Sequence, residues 1–150
     1  GSVRSRKTKM SSIKQSVRTR LLQSATITAL VGANVFTGRS DQGQALPRIN
    51  IQRISGGQEH DLDGAAANAN PRIQIDCYAA TDIACDTLAD AVRNMLDGYT
   101  GVMGTHFVDV AYQDDRHDGE DAPIDGSDVA TYRVTQDYFI RYTEPTPTFL

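Results

Sequence analysis

The chain has 150 residues, 39% of them hydrophobic and 23% charged, with a formal net charge of −4. That length supports one domain with a real core, and no apolar run approaches a membrane span. The N-terminus lacks the apolar core of a signal peptide. Charge is divided unevenly along the chain. Residues 1–40 carry eight Lys or Arg and no acid, whereas residues 41–150 carry seven basic residues and all nineteen acids. A front of +8 and a remainder of −12 point to electrostatic pairing between copies or with another surface.

Residues 1–10 read as a disordered basic arm, with Gly1-Ser2 resembling a cloning scar and Met10 a natural start. Residues 11–150 read as a single α+β domain. Ser12 and Gln15 fit a capping box, and Ile13, Val17 and Leu21 make one apolar helix face with Arg18 and Arg20 off the stripe. A second short helix is expected over 25–31, stopped by Gly32. A brief extended piece at Val35-Phe36 and a polar loop over 37–46 follow. Pro47 opens a strand to about Ser55, with Ile49 and Ile51 on one face and a bulge expected at Arg53-Ile54.

Residues 56–70 read as a long, soft, water-loving loop, much longer than a hairpin built only for stability requires. A strand over 72–79 points Ile73, Ile75 and Cys77 inward. Thr81 caps the next helix, whose expected buried stripe is Ala84, Leu88, Ala91, Val92 and Met95, and Gly98 ends it. Residues 105–113 read as a strand with Val108, Val110 and Tyr112 on one face, and residues 114–128 as an acidic loop. The last strand, 129–142, places Tyr132, Val134, Tyr138, Ile140 and Tyr142 on one face. The expected fold is a mostly antiparallel sheet of four to five strands with two main helices on one face and long polar loops. The passage from 72 to 113 has the form of a strand-helix-strand crossover.

Few constellations carry chemistry. Cys77 and Cys85 lack metal-ligand spacing and fall in a strand and a helix, as small reduced core residues do. No Gly-x-Ser-x-Gly elbow accompanies His60, His106 or His117, and no Gly-rich loop forms a nucleotide cradle. No enzyme activity and no cofactor are expected. The run 114–128 holds seven carboxylates and His117, but lacks the one-three-five ligand spacing of a calcium loop. A solvated hairpin tip is the simpler reading. The basic arm has no aromatic residues to stack bases, so sequence-specific nucleic-acid binding is not expected.

Four linked stretches resemble the phage tail completion, or tail terminator, family: TITALVGANVFTG (26–38), LPRINIQRISG (46–56), RIQIDCYAATDIACDTLADAVRNMLDG (72–98) and YRVTQDYFIRYTEP (132–145). The resemblance covers most of residues 12–143, in order and spacing. It leaves out the extension before Met10, and the acidic 114–128 segment is unusually long and rich in Asp. The resemblance implies a structural virion protein that caps the tail tube at its final length. It implies self-association as a ring, usually a hexamer, contacts with a tail tube protein and a head connector, and DNA passing through the lumen. Its place would be the head–tail junction of the virion, and the host cytoplasm during assembly, with no membrane. Another head–tail connector or tube ring protein is the nearest alternative, and a calcium-binding module using 114–128 a more distant one.

Contacts in such a protein are surfaces. Under this reading Arg18 and Arg20 meet acids of a neighbouring copy, and Gln58, Glu59, His60, Asp61 and Asp63 of the soft loop order on docking to a partner. Asp114, Asp115, Asp118, Glu120 and Asp121 line the channel or face a partner, where an acidic lumen lets DNA slide.

Overall fold

The computed structural model describes residues 12–38, 46–55, 58–59, 67–121 and 131–144. Helix α1 (Ile13–Leu22) starts where expected. Ser12 Oγ accepts from the Gln15 amide at 3.2 Å, and Ile13, Val17 and Leu21 are buried together with Ser16. Helix α2 (Ala25–Val31) is capped by Ser24 and ends at Gly32, whose φ is +62°. Helix α3 (Asp82–Leu96) is capped by Thr81, with Asp82 in its first turn. Its buried face is Cys85, Leu88, Ala89, Ala91, Val92 and Leu96. Ala84, expected inside, is exposed, and Met95 is only half-buried. The stripe is rotated because the small Cys85 and Ala89 let the helix sit close to the sheet.

Eight strands form one sheet: β1 (Val35–Thr37), β2 (Arg48–Ser55), β3 (Gln58–Glu59), β4 (Ala67–Ala69), β5 (Arg72–Ala79), β6 (Gly101–Met103), β7 (His106–Asp121) and β8 (Thr131–Glu144). The described residues form three helices, the two main ones and the short one expected over 25–31, and eight strands where four to five were read from the sequence. The strands not read are β3, β4 and β6, only two or three residues long and too short to show a period. All pairings are antiparallel except β1 with β2. β8 is central, flanked by β5 on one side and β7 on the other. β5 and β7 therefore run parallel with β8 inserted between them, so the crossover through α3 is a split one.

Two sequence expectations change here. Residues 58–59 and 67–69 are not loop: they pair with each other and extend the β2–β5 hairpin alongside the end of β8. Residues 114–121 are not loop either. Asp115–Asp121 continue β7 opposite Asp137–Thr131, because seven backbone partners on β8 outweigh the modest repulsion of the carboxylates. Residues 1–11, 60–66 and 122–130 lie outside the described residues, and with them the arm and both hairpin tips.

The core lies between the helices and one face of the sheet. Ile49, Ile51, Ile73, Ile75, Cys77, Val134, Tyr138 and Ile140 are fully or almost fully buried there. The expected faces of β2, β5 and β8 hold, and the β2 register shifts between Arg53 and Ser55, at the expected bulge. In β7 a shift between Val108 and Val110 breaks the alternation. Val108 and Ala111 are buried, while Tyr112 turns outward, so the shared face expected for Val108, Val110 and Tyr112 does not form.

Candidate assembly surfaces

The molecule's chemistry is that of contacts. Cys77 and Cys85 are both buried free thiols, and burial pushes Cys85 up to about 11 and Cys77 well above its ordinary value. The Cys85 thiol donates to the Cys77 carbonyl at 3.0 Å, so neither is poised as a nucleophile. Among the described residues no group of three His, Cys, Asp or Glu could hold a metal. Residues 114–121 are an extended strand, not the tight turn that gathers calcium ligands around one point. No described helix is long and apolar enough to cross a membrane.

One flank of the fold is built from α1, α2, β1 and β2. Arg18 lies on α1 with its Nε donating to the Val35 carbonyl at 2.8 Å, which seals the outer side of β1. Gln15 reaches Thr37 on the same strand. Arg20 donates to the Met95 carbonyl at 3.0 Å and lies 3.7 Å above the Tyr99 ring, joining α1 to the end of α3. Both arginines, read from sequence as contacts to a neighbour, are half-buried and bonded within the chain.

The other flank is α3 with β6 and β7. Asp97 accepts from the Gln113 amide at 2.9 Å, and Gly98 and Tyr99 bond to both backbone groups of Ala111. Arg116 turns inward between Asp90, at 2.7 Å, and Asp86, at 3.4 Å. Among the described residues, no strand or loop backbone pairs with the outer edge of β7 beyond Gln113. Asp114, Asp115 and Asp118 are exposed along it, and Glu120 and Asp121 complete the strand. Asp114 reaches back to Arg72, which also holds Asp137 at 2.7 Å. His117 pairs with Asp115 at 3.2 Å. Of the soft-loop candidates, Gln58 and Glu59 form β3, whereas His60, Asp61 and Asp63 lie outside the described residues.

The strand ends leading into residues 60–66 and those leading into 122–130 lie at opposite ends of β8. β4 pairs with Tyr142–Glu144, whereas Asp121 pairs with Thr131. The fourteen residues of β8 separate the two by roughly 45 Å. The helix-free face of the sheet is unequal along that length. At the β4 end it shows an apolar stripe: Val102 and Phe107, paired across β6 and β7 and about 60% exposed at 63% and 60%, then Tyr112 stacked on Phe139. Further along it becomes polar, with Thr135 donating to Asp76 at 2.7 Å and Gln74 bonded to the same carboxylate.

Sequence reasoning missed the clamp between α1 and the β6–β7 turn. Ser16 Oγ lies 2.6 Å from His106 Nδ1, and the His106 ring meets Tyr142 edge-on. Gly104 has φ +59°, and a Cβ there would fall 2.7–2.9 Å from Ser16. Through this clamp α1 touches β6 as well as β1 and β2, so it bridges the two sides of the sheet. A polar chain in the core was also missed: Tyr138 donates to Gln136, and Gln136 donates to the Ala89 carbonyl at 2.9 Å. The one signal for the clamp was the Gly104-Thr105 pair between two apolar-polar runs.

The fold is an α+β domain with a basic flank, an acidic flank and two long hairpin arms. The profile of the tail completion protein gp17 family matches residues 15–143, and the chain belongs to that family. It is a structural component of the tail of a phage-like virion and not an enzyme. Its fold is similar to a chain in the virion of a native gene transfer agent (GTA) particle, with a TM-score of 0.65 and 19% identity over 88% of this chain and 95% of that one. No curated protein matches the chain.

Proposed function

We propose that the protein closes the tail tube at its final length as a ring, usually a hexamer, and presents the opposite side of that ring to the head connector. The observation that carries this reading is the family match over residues 15–143. The fold supports it with two separated ends, since a joint between two structures needs two docking surfaces.

At one end, β3–β4 and the apolar stripe of Val102, Phe107 and Tyr112 suit a tube or connector subunit. Gln58 and Glu59 of β3 dock there, and His60, Asp61 and Asp63, which follow them in sequence, take part in the same contact. At the other end, Asp114, Asp115, Asp118, Glu120 and Asp121 face the channel or a partner. Carboxylates at the lumen repel DNA phosphates and let the duplex pass without sequence recognition. Arg18 and Arg20 lie on the basic flank, where they hold its shape and charge against a neighbouring copy.

Light scattering of the full chain across concentration and salt tests the ring. The expected result is a hexamer mass that falls as salt rises, because charge contacts between copies are screened. A stable dimer indifferent to salt would contradict it, since a two-fold contact closes on itself.

A further inference from the structure

We propose that neighbouring copies meet through opposite edges of the sheet, the acidic outer edge of β7 in one copy against the basic flank of α1 and β2 in the next. This rests on the ring reading and assigns the surfaces that build the ring.

Charge is the first support. Residues 12–38 and 46–55 hold Lys14, Arg18, Arg20, Arg48 and Arg53 and no acid. Residues 82–121 hold ten acids against Arg93 and Arg116. The fold carries this division of sequence into space, because β1 and β2 end the sheet on one side of β8 and β7 lies on the other.

Backbone is the second support. β1 is sealed by α1 through Arg18, so that flank presents side chains. Among the described residues the β7 edge is sealed as far as Gln113, and beyond it the strand presents N–H and C=O groups as well as carboxylates. Asp115 and Asp118 are exposed and sit at alternate positions opposite Asp137 and Val134, so one carboxylate projects on each face of that edge. Lys14 on α1 and the exposed Arg53 on β2 offer cations on the basic flank.

Self-repulsion is the third. Two β7 edges brought together would oppose carboxylate to carboxylate, which disfavours a two-fold dimer and selects a head-to-tail contact.

A charge exchange tests the assignment in the full chain. One variant carries Asp115→Lys and Asp118→Lys, the other Lys14→Glu and Arg53→Glu. Circular dichroism melts establish that each is folded, and light scattering reads association. Each variant alone is expected to associate about tenfold or more weakly than wild type. Mixed in equal amounts they are expected to recover it, because each altered flank then meets its complement in an alternating ring. If a reversal prevents folding, Asp115→Asn with Asp118→Asn and Lys14→Gln with Arg53→Gln replace it, with a partial loss expected. Wild-type association in both variants, or no recovery on mixing folded variants, overturns the proposal and leaves the ring reading standing. A wild type that never associates, free or on tail tubes, overturns both.

Discussion

The two edges of the sheet end in opposite ways. On the β1 side a helix lies along the edge, Arg18 caps a carbonyl, and the surface is basic. On the β7 side Asp97 and Tyr99 close the first half, and from Asp114 onward the strand is acidic and no described residue pairs with its outer edge. Exposed edges invite pairing with other chains, and proteins protect them with charges, bulges or covering elements. The β1 edge is covered. Among the described residues the β7 edge beyond Gln113 is guarded by like charges, which disfavour another β7 and, under the proposed head-to-tail contact, leave a basic partner acceptable. The difference shows that one sheet can protect its two edges by different means, a covering helix on one and like charges on the other.

The comparison can be broken most severely at the clamp through which α1 bridges both sides. Gly104→Ala puts a Cβ into Ser16 at a positive φ and is expected to lower unfolding free energy by about 2–4 kcal/mol in urea. A loss below about 0.5 kcal/mol would show that the turn is looser than the 2.7 Å approach requires.

Opening the covered edge comes next. Arg18→Met keeps much of the side chain's bulk and removes the charge-assisted bond to Val35, at an expected cost of about 1–2 kcal/mol. Hydrogen exchange at Gly38, whose amide donates to the Ile51 carbonyl, should rise with it, while exchange in β8 stays slow.

On the other edge, Asp97→Ala removes the cap on the Gln113 amide and is expected to cost about 1 kcal/mol. Exchange at Gln113 should then match that of the residues beyond it.

The smallest effect is a pH slope. Burial lowers the His106 pKa below its ordinary value of 6.5. The unfolded chain therefore takes the proton first as pH falls. Stability from neutral His106 is fully present above about 6.5, declines below it, and levels off once the folded pKa is passed. His106→Gln should flatten this part of the melting-temperature curve; an unchanged slope would assign it to carboxylates instead.

Much of this was legible because the elements are strongly patterned. The alternation Ile73, Ile75, Cys77 and the run Val134, Tyr138, Ile140, Tyr142 fixed two strands and their inward faces. Ser12, Thr81, Gly32 and Gly98 marked helix ends, since caps and positive-φ positions are local chemistry. The acidic stretch misled because charge describes side chains, while strand formation at 114–121 depends on backbone partners far away on β8. β3 and β4 were missed because two or three residues carry no period. Arg18 and Arg20 were correctly set off the apolar stripe, but their bonds to Val35 and Met95 depend on tertiary placement. The clamp at Ser16 and His106 joins residues ninety apart, which no spacing rule connects.

The central claim is that this protein closes the tube. Electron microscopy of purified tail tubes incubated with the gold-labelled full chain tests it most directly. Label is expected at one end of each tube, with a halt to further tube growth. Label along the tube walls, or tubes that go on lengthening with the protein present, would contradict it.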